Sequence, residues 1–257
     1  MKPWIDRKVL IKEATDFVRR NGYFLRKHAK RISSLVEVAV YNSVVSYYQS
    51  AGYDLHANNL GPKKSFKFKL SANGLEENFS YFSASNPMTG DTVVVYHNTK
   101  LQSAHHKHIY YTPDVAVTLR DGAVTSKLKS GSRHTYIPNE RLLTFVEVKH
   151  LPPFPEALFS FSGLVLEFMP LFISGQLTID DTAINLSPIL VFTGMPSDHA
   201  DLIKKELSRR YGFNIVSGTE KTKGSIANFD DLLKYKTPQP SSQPCAPPAE
   251  GVVPGEA

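Results

Sequence analysis

The sequence predicts an α/β fold: a mixed β-sheet core flanked by helices on both faces. Three observations carry that expectation. Short runs of β-branched and apolar residues recur through the middle of the chain. Helical patterns precede and follow them. Gly, Pro and Asn-Gly pairs punctuate the joins. The order read along the chain is helix, β-meander, two apolar strands, helix, strand, helix.

Residues 5–31 have a helical pattern and are strongly basic, with Arg7, Lys8, Lys12, Arg19, Arg20, Arg26, Lys27, Lys30 and Arg31 against Asp6, Glu13 and Asp16. Asn21-Gly22 should interrupt them. A second helix is expected from Ser34 to Ser50, ending at Gly52. Strand-like pieces follow at Tyr53–Ala57, Ser65–Ser71, Phe79–Ser85 and Thr92–His97, with turns at Gly61-Pro62, Asn73-Gly74 and Pro87–Gly90. The polar stretch Arg120–Arg141 reads as a hairpin or a mobile loop. Glu156–Ser174 reads as a helix and Ser187–Thr193 as a buried strand. Ser197 should cap a helix that runs to Tyr211 and closes at Gly212. Asn214–Ser217 is a last strand and Phe229–Lys236 a last short helix. The chain therefore divides into a basic helical extension (1–31), one domain (32–236) and a Pro-rich tail (237–257) that cannot build a core and should be disordered.

The 257 residues carry 30 Lys and Arg against 24 Asp and Glu, a formal charge of +6. Two of the acids, Glu250 and Glu256, are in the tail, which leaves 22 acids against 30 bases and +8 for residues 1–236. Such an excess favours a polyanionic partner. The single Cys245 excludes an intramolecular disulfide and a Cys-based zinc site, and fits a reducing, cytoplasmic compartment. The most apolar run, Ala157–Ile173, contains Glu167 and Pro170 and is short for a membrane span, so no membrane association is expected.

The chemistry concentrates on two segments, Tyr111-Thr-Pro-Asp-Val-Ala-Val-Thr118 and Leu142-Leu-Thr-Phe-Val-Glu-Val-Lys149. Side chains alternate along a strand, so Glu147 and Lys149 share a face, roughly 6–7 Å apart. An acid and a Lys in so apolar a run are costly to bury without compensation. A divalent cation on Asp114 and Glu147 would compensate them. Taken alone, Asp114 suits a turn after Pro113, and Glu147 with Lys149 suits a same-face ion pair. Glu37 lies on a helical stripe with Tyr41, Val44 and Tyr48, which should face the sheet. Ser34-Leu-Val-Glu37 also fits a capping box. His105-His106-Lys-His108 is conspicuous; read as a strand, only His106 and His108 share a face. His150 reads as structural, and Phe154, Phe159, Phe161, Phe168 and Phe172 as core or a dimer interface.

Pro113-Asp114 followed by Glu147-Val148-Lys149, behind a helix that carries Glu37, resembles the PD-(D/E)xK nuclease superfamily across roughly residues 30–217. The resemblance implies a restriction-endonuclease-like fold and a Mg²⁺-dependent endodeoxyribonuclease, with Mn²⁺ as a substitute. It implies that Asp114, Glu147 and the Val148 carbonyl hold the metal, that Glu37 reaches it directly or through water, and that Lys149 serves the attacking water and the transition state. Hydrolysis would leave 5′-phosphate and 3′-hydroxyl ends on DNA, and a homodimer is among the partners implied. The alternative is a non-catalytic nucleic-acid-binding module that keeps the fold. The gap from Asp114 to Glu147 exceeds that of compact members and must be absorbed by a hairpin. The basic N-terminal helix, with Lys127, Lys129, Arg133 and His134 in the loop, would contact phosphates.

Overall fold

In the computed structural model, residues 32–120, 122–127, 131–174 and 187–218 are described. The basic helix of residues 5–31, Lys129, the last short helix and the tail lie outside them. The fold is mixed α/β with two sheets. A long first helix, α1 (Ile32–Ser50), leads into β1 (Asp54–Asn58), β2 (Tyr81–Ser85) and β3 (Thr92–His97). After β4 (Lys100–Gln102) and β5 (Tyr110–Tyr111) come β6 (Val115–Leu119), β7 (Val124–Lys127), β8 (Arg133–Ile137) and β9 (Leu142–Lys149). The chain then forms α2 (Pro155–Phe168), α3 (Pro170–Ile173), β10 (Ile189–Phe192), α4 (Asp198–Tyr211) and β11 (Asn214–Val216).

The larger sheet has the order β1-β2-β3-β6-β9-β10-β11. It is antiparallel from β1 to β9 and parallel from β9 to β11. Its two faces bury different side chains of the same strands, as alternation requires. Val93 and Val95 of β3, Val115 and Val117 of β6, and Ile189 and Val191 of β10 pack toward α1. Val94, Tyr96, Ala116, Leu190 and Phe192 turn the other way, onto Leu158, Phe161 and Val165 of α2 and Ala200 and Leu207 of α4. Helices therefore flank the sheet on both faces. On α1, Tyr41, Val44 and Tyr48 are buried as the stripe predicts, and the Tyr41 hydroxyl donates to the Val95 carbonyl at 3.0 Å. No helix among the described residues is long and apolar enough to cross a membrane.

Several local expectations need correction. Helix α1 is already formed at Ile32, so Ser34 is not its N-cap and the capping-box reading of Glu37 falls. Ser65–Ser71 pairs with no strand among the described residues. Lys67 and Ser80 hold it through Lys67 N–H to Ser80 Oγ and Ser80 N–H to the Lys67 carbonyl, both at 2.9 Å. The segment read as one motif strand is split, because Tyr110–Tyr111 join the second sheet and β6 starts after Asp114. Pro113 separates them, since it has no N–H to continue a ladder. The expected helix at Glu156–Ser174 breaks at Met169 (φ −140°, ψ 54°) ahead of Pro170. His105–His108 form a turn, not a strand. Other expectations match closely. Ser197 Oγ accepts from Ala200 N–H at 3.3 Å, and Gly212 closes α4 at φ 71°. Arg120–Arg141 does contain a hairpin, β7–β8, but it builds the smaller sheet, β5-β4-β8-β7.

Candidate functional site

Asp114 and β9 meet at the carboxyl end of β9, where the antiparallel half of the sheet gives way to the parallel half. In the antiparallel register Val115 faces Val146, so Asp114 comes opposite Glu147 and Pro113 opposite Val148. The Val148 N–H donates to Asp114 Oδ2 at 2.7 Å. This places the Val148 carbonyl on the same side, and Pro113 has no N–H to offer it. The Pro-Asp pair thus opens the ladder at one peptide and puts a carboxylate in the gap.

Glu147 and Lys149 share the face of Phe145, which is the face away from α1. The Glu147 side chain is 8 % exposed and that of Lys149 40 %. The Lys149 ammonium donates to Glu147 Oε1, and the Tyr111 hydroxyl to Glu147 Oε2. The same-face ion pair therefore forms, beside Asp114 and not in isolation.

Glu37 approaches from the α1 side. The Asn98 side chain bonds its carboxyl, and burial and the Glu147 charge push its pKa up. Burial first, then Glu147 and Glu37, push Asp114 up to about 8, against the lowering effects of the Val148 N–H and Lys149. The four side chains singled out in the sequence thus sense one another electrostatically, although they come from three elements far apart in the chain.

Asn98 and Tyr111 belong to the site and were not singled out in the sequence. Asn98 sits in the left-handed region at φ 52° directly after β3. Its N–H donates to the Asp114 carbonyl and its Nδ2 to the Lys69 carbonyl, each at 3.0 Å. Asn tolerates this conformation, which was the one available signal in His97-Asn98-Thr99. Tyr111 lay in the quoted segment, but its hydroxyl reaches Glu147 only because Tyr110–Tyr111 leave the larger sheet.

Of the other residues singled out, Phe168 packs against Tyr111, with ring centroids 5.7 Å apart. His106 and His108 have ring centroids 5.7 Å apart on an exposed turn. His150 Nδ1 lies 3.0 Å from Thr193 Oγ1. Phe161 and Phe168 are core, whereas Phe154 and Phe159 are exposed.

The donor set is all hard oxygen, which suits Mg²⁺ or Mn²⁺. Burial first, and the neighbouring carboxylates after it, raise the pKa values of Glu37 and Asp114, so a cation beside them would stabilise their charged forms. Among the described residues no three His, Cys, Asp or Glu side chains are spaced to share an ion. No family model, curated protein or solved structure matches this chain.

Proposed function

We propose that this chain is a metal-dependent nuclease with a restriction-endonuclease-like fold that hydrolyses phosphodiester bonds in DNA, leaving 5′-phosphate and 3′-hydroxyl ends. The observation that carries this reading is the convergence of Glu37, Asp114, Glu147 and Lys149 at one end of the sheet, with Asp114 seated in a ladder gap made by Pro113. Asp114, Glu147 and the Val148 carbonyl would hold Mg²⁺, with Glu37 reaching it directly or through water. The bound ion would supply charge to the scissile phosphate and lower the pKa of a water. Lys149, more exposed than Glu147, orients the attacking water and stabilises the negative charge that develops on the phosphoryl oxygens. Asp114 is held in place by the Val148 N–H below it and by Asn98 behind its carbonyl.

One observation favours a second reading, a nucleic-acid-binding module without catalysis: both Glu147 oxygens are already engaged, by Lys149 and Tyr111. The two readings separate in one experiment. Purified protein is incubated with supercoiled plasmid, linear duplex, single-stranded DNA and RNA, each with Mg²⁺, Mn²⁺ or EDTA, beside Lys149→Ala. Cleavage of DNA that needs the metal and disappears in Lys149→Ala is the expected result. Binding without cleavage on every substrate selects the second reading.

A further inference from the structure

The smaller sheet has one face against the protein and one turned outward. Leu101, Thr135 and Ile137 are buried on the inner face. In register, Gln102 lies beside Tyr110 and Lys100 beside Tyr136, so these residues, with His134, share the outer face. Three rings gather there. Tyr110 lies 5.5 Å from His134 and 5.2 Å from Tyr136, and His134 and Tyr136 stack at 5.3 Å with 19° between their planes. All three are only half-buried, and neither Tyr belongs to an apolar core. Lys100 shares this outer face, whereas Lys127 and Arg133 alternate onto the face of Thr135, where Arg133 pairs with Glu77 at 2.9 Å. Lys107 is exposed next to Tyr110, whose hydroxyl donates to the Lys107 carbonyl at 2.9 Å.

We propose that this outer face binds single-stranded DNA by stacking bases on Tyr110, His134 and Tyr136, and leads the strand to the carboxylate cluster. Grouped aromatic rings with Lys100 and Lys107 beside them match the two halves of a single strand: flat bases and a phosphate backbone. A duplex keeps its bases in its own stack and cannot use the rings. Strand β5 is the edge of the sheet. Its successive residues Tyr110 and Tyr111 point to opposite faces, and Tyr111 bonds Glu147. A strand stacked on Tyr110 and turned over that edge therefore arrives at Glu147. The choice of DNA rests on the function proposed above; the stacking surface does not.

The test is fluorescence anisotropy with the full chain in EDTA, using a dye-labelled oligothymidylate and a duplex of equal length. Tyr110→Ala and Tyr136→Ala should each weaken single-strand binding by about ten-fold and leave duplex binding nearly unchanged, and Tyr136→Phe should keep it. Melting curves check the fold, and Tyr136→Leu replaces the alanine variant if that one unfolds. Binding in EDTA is read without cleavage, so failure of the nuclease reading would leave the stacking surface standing. Equal losses on single strand and duplex, or no single-strand binding by the unsubstituted protein, would overturn the proposal. Markedly tighter binding of the matching RNA strand would overturn the assignment to DNA.

Discussion

Asp114 is the residue on which most of the local chemistry turns. Burial and two neighbouring carboxylates raise its pKa to about 8, while the Val148 N–H and Lys149 pull the other way. Replacing it with Asn keeps an acceptor for the Val148 N–H and removes the charge. Asp114→Asn should therefore fold, yet lose the heat of Mg²⁺ binding in a calorimetric titration. Lys149→Ala should keep that heat. Unchanged Mg²⁺ binding in Asp114→Asn would remove Asp114 from the site. A second buried charge pair lies outside the cluster: Lys69 Nζ donates to Glu76 Oε2 at 2.7 Å with both side chains buried. Removing one partner leaves a bare buried charge, whereas removing both leaves none. Lys69→Met should cost about 3–5 kcal/mol in denaturant unfolding, and Lys69→Met with Glu76→Leu should recover most of it. Full loss in the double variant would mean that the site cannot repack.

At the scale of elements, α1 carries Glu37 and is anchored by Tyr41, one turn further on. The Tyr41 hydroxyl makes a buried bond to the Val95 carbonyl. Tyr41→Phe should destabilise the fold by about 1–2 kcal/mol, read as a lower denaturation midpoint with unchanged slope. Much of this element was legible beforehand, because Tyr41, Val44 and Tyr48 recur at helical spacing on one face. The same holds for α4, whose cap and closing glycine are local signals. Of the smaller sheet only the β7–β8 hairpin was legible, within Arg120–Arg141. Strand β4 has three residues and β5 two, too short for any periodic pattern. Their pairing links Leu101 to Tyr111 and Ile137, contacts that only the folded chain creates. The Ser65–Ser71 segment misled in the opposite sense. Its apolar alternation is real at Phe66 and Phe68, but those rings fill the core under α1 without a ladder.

For the molecule as a whole, two titrations of opposite sign shape stability. Burial and the neighbouring Lys69 lower His97 to about 4. A lowered His favours the fold above its unfolded value near 6.5 and withdraws that support as pH falls toward 4. A raised Asp does the reverse: its support is complete below the unfolded value and is lost as pH rises to about 8. Between about pH 4 and 6.5 the two slopes oppose each other, with Glu37 adding to the loss on the side of Asp114. From about pH 6.5 to 8 Asp114 acts alone of the pair, and metal-free stability should fall by roughly 1.4 kcal/mol per pH unit. Thermal melts in EDTA should show this fall, and Mg²⁺ or Asp114→Asn should remove it. The same slope in Asp114→Asn would assign the effect to another group.

Local pattern in the chain was enough for the mixed α/β class and for the helices on either side of the sheet, whereas Glu37, Asp114, Glu147 and Lys149 were singled out with the help of a family resemblance. The class and the helices depend on spacing, capping and β-branched runs, which act over a few residues. Only the folded chain determined that Glu37 comes from the opposite face to Glu147, that Asn98 and Tyr111 complete the cluster, and that a second sheet stands beside it. Those features depend on which strand pairs with which. Pairing is decided by burial summed over the whole core, and no short stretch of sequence contains that sum.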